Sequence, residues 1–499
     1  MPYFLALDAG TTSNRALIFN EKGEIVSLAQ REFPQYFPKP GWVEQNPIDI
    51  YSTMSGVAAE ALAQSSITAK DIHCLGITNQ RETTILWDRK TGEPLANALV
   101  WQCRRTAPLA DQLKKDGYVD FFHEKTGLIV DAYFSATKIQ YLLDTVPGLR
   151  AKAEKGQVAF GTVDSYLMYR LSDGKIHKTD VSNACRTMLF NIHTMDWDQE
   201  ILDLLKIPRE ILPEVQASAS FFGETSSNFL GQSIPITGVL GDQQAALFGQ
   251  ACFAPGEAKN TYGTGAFVLM NTGDTPIQSK NGLLSSVAWQ IGDQVTYALE
   301  GSIFVAGSLI QWLRDQLGII EKASDTEAMA LAVEDSNGVM IVPAFTGLGA
   351  PYWNSYAQGT ITGLSRGANK NHLVRASLES IASLTYDVVK SMQKDSGLKR
   401  KVLKVDGGAS RNNFLMQVQA DLLNIPVLRP KCTETTALGA FLIAGMGFHY
   451  FKDLDHVKTI WQEDRMFTPS MEENRRQDYL GRWHKAVDHC LSIYPKGGE

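Results

Sequence analysis

The chain has 499 residues, more than a single hydrophobic core accommodates, so two large lobes are expected. It is 44% hydrophobic and 20% charged, an ordinary soluble composition. The net charge of −7, with no basic domain, argues against a nucleic-acid partner.

The chain opens on "YFLALDAGTTSNRALIF". An apolar run stops at Asp8, a small turn of Gly, Thr, Thr, Ser and Asn follows, and apolar alternation resumes from Ala16. Residues 3–33 read as three strands joined by tight turns, "YFLALD", "RALIF" and "IVSLAQREF". A plain hairpin accounts for the turn but not for the acid, because a carboxylate ending an apolar strand must be solvated, paired or near a cation. The alternative is a phosphate cradle, in which Gly10, Thr11, Thr12 and Ser13 face anionic oxygens and Asp8 holds Mg²⁺ directly or through water.

A helix is expected at "NPIDIYSTMSGVAAEALAQ", with Asn46 as N-cap and Pro47 at the first helical position. Strands follow at "IHCLGIT", "TTILWD" and "NALVWQ"; residues 104 to about 230 read less clearly. Past residue 230 the order recurs. "IPITGVLGDQQAALFGQ" reads as strand, Gly-Asp turn and helix, and "NTYGTGAFVLMNTGD" repeats the opening strand, small turn and strand. "VTYALEGS" is a further strand, "AGSLIQWLRDQLG" a helix, "NHLVRASLESIASLTYDVVKSM" a long amphipathic helix, and "VLKVDGGASRNNFLMQVQADLL" a strand, Gly turn and helix. The basic run Lys399–Lys401 reads as a solvated turn, and the C-terminal "EENRRQDYLGRW" as a surface helix. The two glycine turns lie roughly 250 residues apart, which suggests two related lobes, 1–250 and 251–499, although any α/β enzyme offers several strand–Gly–helix joints.

Cys74, Cys103, Cys185, Cys252, Cys432 and Cys490 form no C-x-x-C pair, which fits reduced cytoplasmic thiols better than disulfides or zinc. No apolar run is long enough for a bilayer span, and Asp8 interrupts the only apolar N-terminal stretch, so neither membrane insertion nor a signal peptide is expected.

Three turns, "DAGTTS", "YGTG" and "VDGGASRNN", stand in an order that clamps a polyphosphate between lobes, while no G-x-x-x-x-G-K-[ST] and no protein-kinase glycine-rich set occurs. Phosphoryl transfer also needs a base for the incoming hydroxyl. Asp242, at a strand end and a helix start, is the candidate, although Asp there is also an ordinary N-cap.

These turns resemble those of the actin/hexokinase-like ATPase superfamily. The words "LALDAGTTSNRALIF", "PGWVEQNP", "GITNQRETT", "WQCRRT", "GDQQAALFGQ", "NTYGTG", "TGLGAPYW" and "VDGGASRNNFLMQ" resemble the FGGY carbohydrate kinases across almost the whole chain. "TNQRETT" with "WQCRRT" resembles the members that phosphorylate glycerol rather than pentoses or other sugars. The resemblance implies an α/β fold of two related actin/ribonuclease-H-like lobes, each a mixed sheet with flanking helices, with the site in the cleft between them. It implies ATP-dependent phosphorylation of glycerol to sn-glycerol 3-phosphate with Mg²⁺, and a homodimer or homotetramer.

Carried over by position, the resemblance implies that Arg81, Glu82, Tyr133, Asp242 and Gln243 grip the glycerol hydroxyls and that Trp101 and Phe267 pack on its carbon face. Thr11, Thr12 and Ser13 meet the phosphates with Arg15 nearby, and Thr264, Gly307, Gln311, Gly408 and Asn412 line the nucleotide. The resemblance also implies that Asp8 sits near the metal and that Asp242 is the catalytic base. Without the resemblance, Arg81–Glu82 reads as a surface ion pair, and Trp101 and Phe267 as ordinary core. The stretch "SSNFLGQSIPITG" lacks both the Arg of a fructose 1,6-bisphosphate loop and the phosphorylatable His of some relatives, so neither form of control is expected. Two rival readings are a kinase of the same family acting on a larger polyol or sugar, and a non-catalytic or chaperone-like ATPase of the actin superfamily.

Overall fold

The computed structural model describes residues 2–398 and 401–495; Lys399 and Arg400 of the basic run lie outside them. The opening residues form an antiparallel meander of Tyr3–Ala9, Ser13–Asn20 and Ile25–Glu32. Ile72–Asn79 pairs parallel to the first of these, and Pro235–Gly241 parallel to Ile72–Asn79. The second half repeats the scheme. Ala258–Tyr262, Ala266–Gly273 and Gln294–Ile303 run antiparallel, Leu403–Asp406 pairs parallel to the first, and Val427–Pro430 parallel to that.

Each half adds an antiparallel strand beyond its last parallel one, Ala219–Glu224 in the first and Glu463–Phe467 in the second. Leu284–Ile291 pairs with Gln294–Ile303 and touches Ala219–Glu224 through the single parallel pair Ala219↔Ile291. The two lobes therefore share one 13-stranded sheet, rather than each holding a separate one.

The local signals are met where the chemistry is local. Asn46 caps the helix Pro47–Gln64, its side chain accepting from the Ile48 N–H at 2.9 Å. The long helix Lys370–Ser396 starts at a capping Asn369 and stops at Gly397 in the left-handed region. The C-terminal helix Glu473–Ile493 differs from expectation. One face of it, with Tyr479, Leu480, Trp483, Val487 and Cys490, is buried in the second lobe's core. Its apolar residues recur at three- and four-residue spacings, which carry a helix face inward despite the charged flanks.

The helices that follow the last parallel strand of each half, Asp242–Gly249 and Thr435–Gly447, cross at backbone contact. A Cβ on Gly439 would lie 1.9 Å from the Ala245 carbonyl oxygen, and one on Gly249 2.1 Å from that of Thr435. Around this crossing a core cluster joins Phe4, Phe19 and Leu240 of the first half to Leu269, Trp289 and Phe441 of the second. The carboxyl ends of both parallel strand sets converge beside it.

Candidate functional site

The strand Tyr3–Ala9 delivers Asp8 to the first turn, where it faces Arg15 across the hairpin. Asp8 Oδ2 lies 2.7 Å from Arg15 Nη2 but has no aligned hydrogen bond, although it is buried. Arg15 also pairs with Glu434 of the second half. Burial pushes the Asp8 carboxyl up; Arg15 opposes this, and the nearby charges of Asp242 and Glu434 add to it. Asp8 is thus a buried acid that shares Arg15 with Glu434 and stands among other acids, an arrangement that fits a further, hard cation. Among the described residues no group of three or more His, Cys, Asp or Glu gathers as a metal cage. Mg²⁺ on a polyphosphate needs only one or two carboxylates, because phosphate oxygens and water complete its shell.

The strand Ile72–Asn79 ends in the turn that carries Arg81 and Glu82, both buried. They do not form a surface pair. Arg81 makes a fork to Glu300, Nη1 to Oε2 at 2.6 Å and Nη2 to Oε1 at 2.9 Å, and its Nε lies 3.2 Å from Asp242. Glu82 accepts from Arg186 Nε at 2.7 Å, and Arg186 Nη2 is 3.3 Å from Glu300. Burial alone would raise Glu300, but Arg186 and Arg81 outweigh it and hold the carboxyl at about 2. Burial leaves Glu82 raised despite the same two arginines. Glu82 adopts φ 60, a left-handed conformation that costs a non-glycine residue about 1–3 kcal/mol and that clusters at functional sites. Ser135 Oγ donates to the Glu82 carbonyl at 2.9 Å and fixes it there.

Sequence reasoning missed Glu300 and Arg186. Glu300 carries the signal that singled out Asp8, a carboxylate inside an apolar strand, here "VTYALEGS". Arg186 lies in the stretch that read less clearly.

Tyr133 packs under the Arg186 guanidinium, 5.6 Å away, and edge-on to Trp101 at 5.5 Å. The Trp101 indole N–H donates to Thr11 Oγ1 at 3.0 Å and so joins this pocket to the first turn. Thr12 is exposed there, and Ser13 Oγ accepts from Gln30. Phe267 stands half-buried on the second lobe's hairpin. Asp242 begins its helix, but the N-cap is Gly241; its Oδ1 accepts only from the adjacent Gln243 N–H, at 2.7 Å. The capping alternative therefore does not describe Asp242, whose side chain stays 28% exposed.

The second turn, Gly263–Gly265, closes on itself through the Gly263 N–H and Gly265 carbonyl at 2.8 Å. The third packs against it: Gly407 has φ 83, and a Cβ there would lie 2.3 Å from the Tyr262 carbonyl oxygen. Between these turns and the helix Gly307–Asp315 opens a cavity of about 490 Å³. Thr264, Gly307, Gln311, Gly408 and Asn412 all line it. The Asn412 amide is already engaged, its oxygen capping the Leu415 N–H at 2.9 Å and its nitrogen on Thr326 at 3.0 Å, so it shapes the wall more than it offers a ligand contact. The Gly307 and Ser308 N–H groups go to the Gly263 and Thr264 carbonyls, which ties that helix start to the turn.

Two half-molecules, each with a strand–turn–strand device aimed at a shared cleft, define a two-lobed kinase fold. The chain matches the models of the FGGY family of carbohydrate kinases, the N-terminal domain over residues 3–249 and the C-terminal domain over 258–448. It is 56% identical to glycerol kinase 2 of Thermotoga maritima over 98% of this chain and 99% of that one. It is 57% identical to the glycerol kinase of Lachnoclostridium phytofermentans over 98% of both. Its fold superposes on Plasmodium falciparum glycerol kinase crystallised with ADP at a TM-score of 0.92, with 37% identity over 98% of each chain. The chain belongs to the FGGY family of carbohydrate kinases. Gluconate kinase of Lactobacillus acidophilus, 22% identical with a TM-score of 0.89 over 99% of this chain and 98% of that one, shares the fold.

Proposed function

We propose that this chain transfers the γ-phosphoryl group of ATP to glycerol, forming sn-glycerol 3-phosphate. The observation that carries the reading is the pocket around Asp242. A part-exposed carboxylate sits 3.2 Å from a buried arginine that a second acid holds in place. Relatives named as glycerol kinases, 56–57% identical over almost the whole length, support this choice of substrate.

Glycerol is nearly all hydroxyl, so its site must supply several donors and acceptors at fixed positions. Arg81, locked by Glu300, offers donors; Glu82 and Asp242 offer acceptors; Gln243 offers its amide N–H. An analogue lacking a hydroxyl leaves these groups unpaired, which is how such a site discriminates. Trp101 and Phe267 cover the carbon face. Asp242 accepts the proton of the attacking hydroxyl as the bond to phosphorus forms. Thr11, Thr12 and Ser13, with Arg15, meet the phosphates, and the cavity lined by Thr264, Gly307, Gln311 and Gly408 takes the nucleoside. Asp8 would hold Mg²⁺, which neutralises phosphate charge when bound. The chain divides near residue 250, and it assembles as a dimer or tetramer, which light scattering decides.

The test is ADP release with and without glycerol, with the product's phosphate position assigned by NMR. Glycerol-dependent release with phosphate on a terminal carbon is expected. Release indifferent to glycerol would favour a chaperone-like ATPase of the actin superfamily, and faster turnover of a larger polyol would move the substrate.

A further inference from the structure

Lys259 lies on the strand Ala258–Tyr262, just ahead of the second turn, and is fully buried. A buried ammonium requires an acceptor for each N–H. Lys259 Nζ finds Gln243 Oε1 at 2.6 Å, Thr261 Oγ1 at 2.8 Å and the Phe267 carbonyl at 3.3 Å. It forms no ion pair among the described residues; Asp406, Asp242 and Glu300 act on it from farther off, and Arg81 opposes them. Burial outweighs these acids and brings the ammonium down to about 8.

An ammonium carries donors only, so the carbonyl oxygen of Gln243 must face it. The amide nitrogen then turns the other way, where Nε2 lies 3.2 Å from Asp242 Oδ2. One amide N–H meets the carboxylate and the second is left for the alcohol. The same ammonium ties this helix of the first lobe to the hairpin of the second, at Thr261 and Phe267.

We propose that Lys259 is a positioning residue for the alcohol site: it fixes the amide of Gln243 so that its N–H groups face substrate and Asp242. The inference rests on the reading of glycerol as substrate. Lys259 touches no reacting atom and acts only through Gln243.

Steady-state kinetics on wild type, Lys259→Met, Gln243→Ala and the double variant test it, with glycerol varied at saturating ATP. Lys259→Met is expected to raise the glycerol KM about tenfold while the ATP KM stays within about twofold. In the Gln243→Ala background the same change should alter the glycerol KM by less than about twofold, because the residue it acts through is gone. Equal effects in the two backgrounds, or an unchanged glycerol KM in Lys259→Met, would overturn the assignment. Gln243→Glu keeps an oxygen for Lys259 but has no amide N–H, and decides the matter if Lys259→Met does not fold. It should lose glycerol affinity as Gln243→Ala does, and a wild-type KM would overturn the proposal. Wild type lacking glycerol-dependent turnover overturns the functional reading and the assignment together. Wild-type turnover with additive variants overturns the assignment alone.

Discussion

Asp242 is held by one strong neighbour and little else. Arg81 approaches it with Nε while its two terminal nitrogens stay on Glu300, so neutralising Asp242 leaves the buried arginine compensated. Asp242→Asn is therefore expected to keep its melting temperature within about 2 °C and to lose about 10²–10⁴ in kcat, the usual worth of a general base. Calorimetry beside a turnover assay checks both halves, and near-normal turnover would remove Asp242 from the base role. Glu300 is the opposite case. Glu300→Gln leaves Arg81 and Arg186 buried without their shared partner and should cost about 3–5 kcal/mol in urea unfolding. Its carboxyl stands near 2 against an ordinary 4.5, so its contribution is complete above about 4.5 and fades as pH falls towards 2. The sequence exposed Asp8 and Asp242 because a charge at the end of an apolar strand or in a glycine turn stands out on its own, whereas Arg81 stood out only through the family resemblance. Arg186 and Lys259 were not singled out, because their partners lie 104 and 16 residues away and only the folded chain reveals the pairing; Glu300 was passed over although its acid inside an apolar strand was visible.

Elements with local punctuation were legible. The three glycine turns, the Asn46 cap and the long helix follow from residues within one or two turns of chain. The crossing of Asp242–Gly249 with Thr435–Gly447 was not, since close backbone approach is a property of two distant segments. Gly439→Ala should force these helices apart and cost about 1–3 kcal/mol, read from chemical denaturation. Gly481→Ala is the control, because a Cβ there meets nothing within 4 Å. On the C-terminal helix, His484 Nε2 lies 2.9 Å from Asp387 Oδ1, while Trp483 Nε1 donates to Oδ2 of the same acid at 2.7 Å. The hydrogen bond to Asp387 raises the His484 imidazole above its ordinary 6.5, and partial burial opposes this. The sign follows: a group raised on folding stabilises below its unfolded pKa and loses that support as pH rises through the folded one. Thermal scans should show a small loss of stability above neutral pH that His484→Gln removes.

At the scale of the molecule, doubling of the pattern was visible in the sequence, but continuity of the sheet was not. Repeats predict two similar halves; whether their edges meet depends on the Ala219↔Ile291 contact. A neighbour of 22% identity superposes at a TM-score of 0.89, so the frame persists where most of the sequence differs. Closing the cleft would keep water from competing with the alcohol. Small-angle scattering should show a smaller radius of gyration with glycerol and a non-hydrolysable ATP analogue together than with either alone. An unchanged radius would mean that the halves are already shut.

The apolar cluster at the helix crossing draws on both halves, so neither buries that surface when isolated. Severing the polypeptide in the turn near Pro255 should give two fragments that are sticky and poorly ordered apart. Coexpressed, they should reunite and regain catalysis, which would make the enzyme a natural basis for a split reporter.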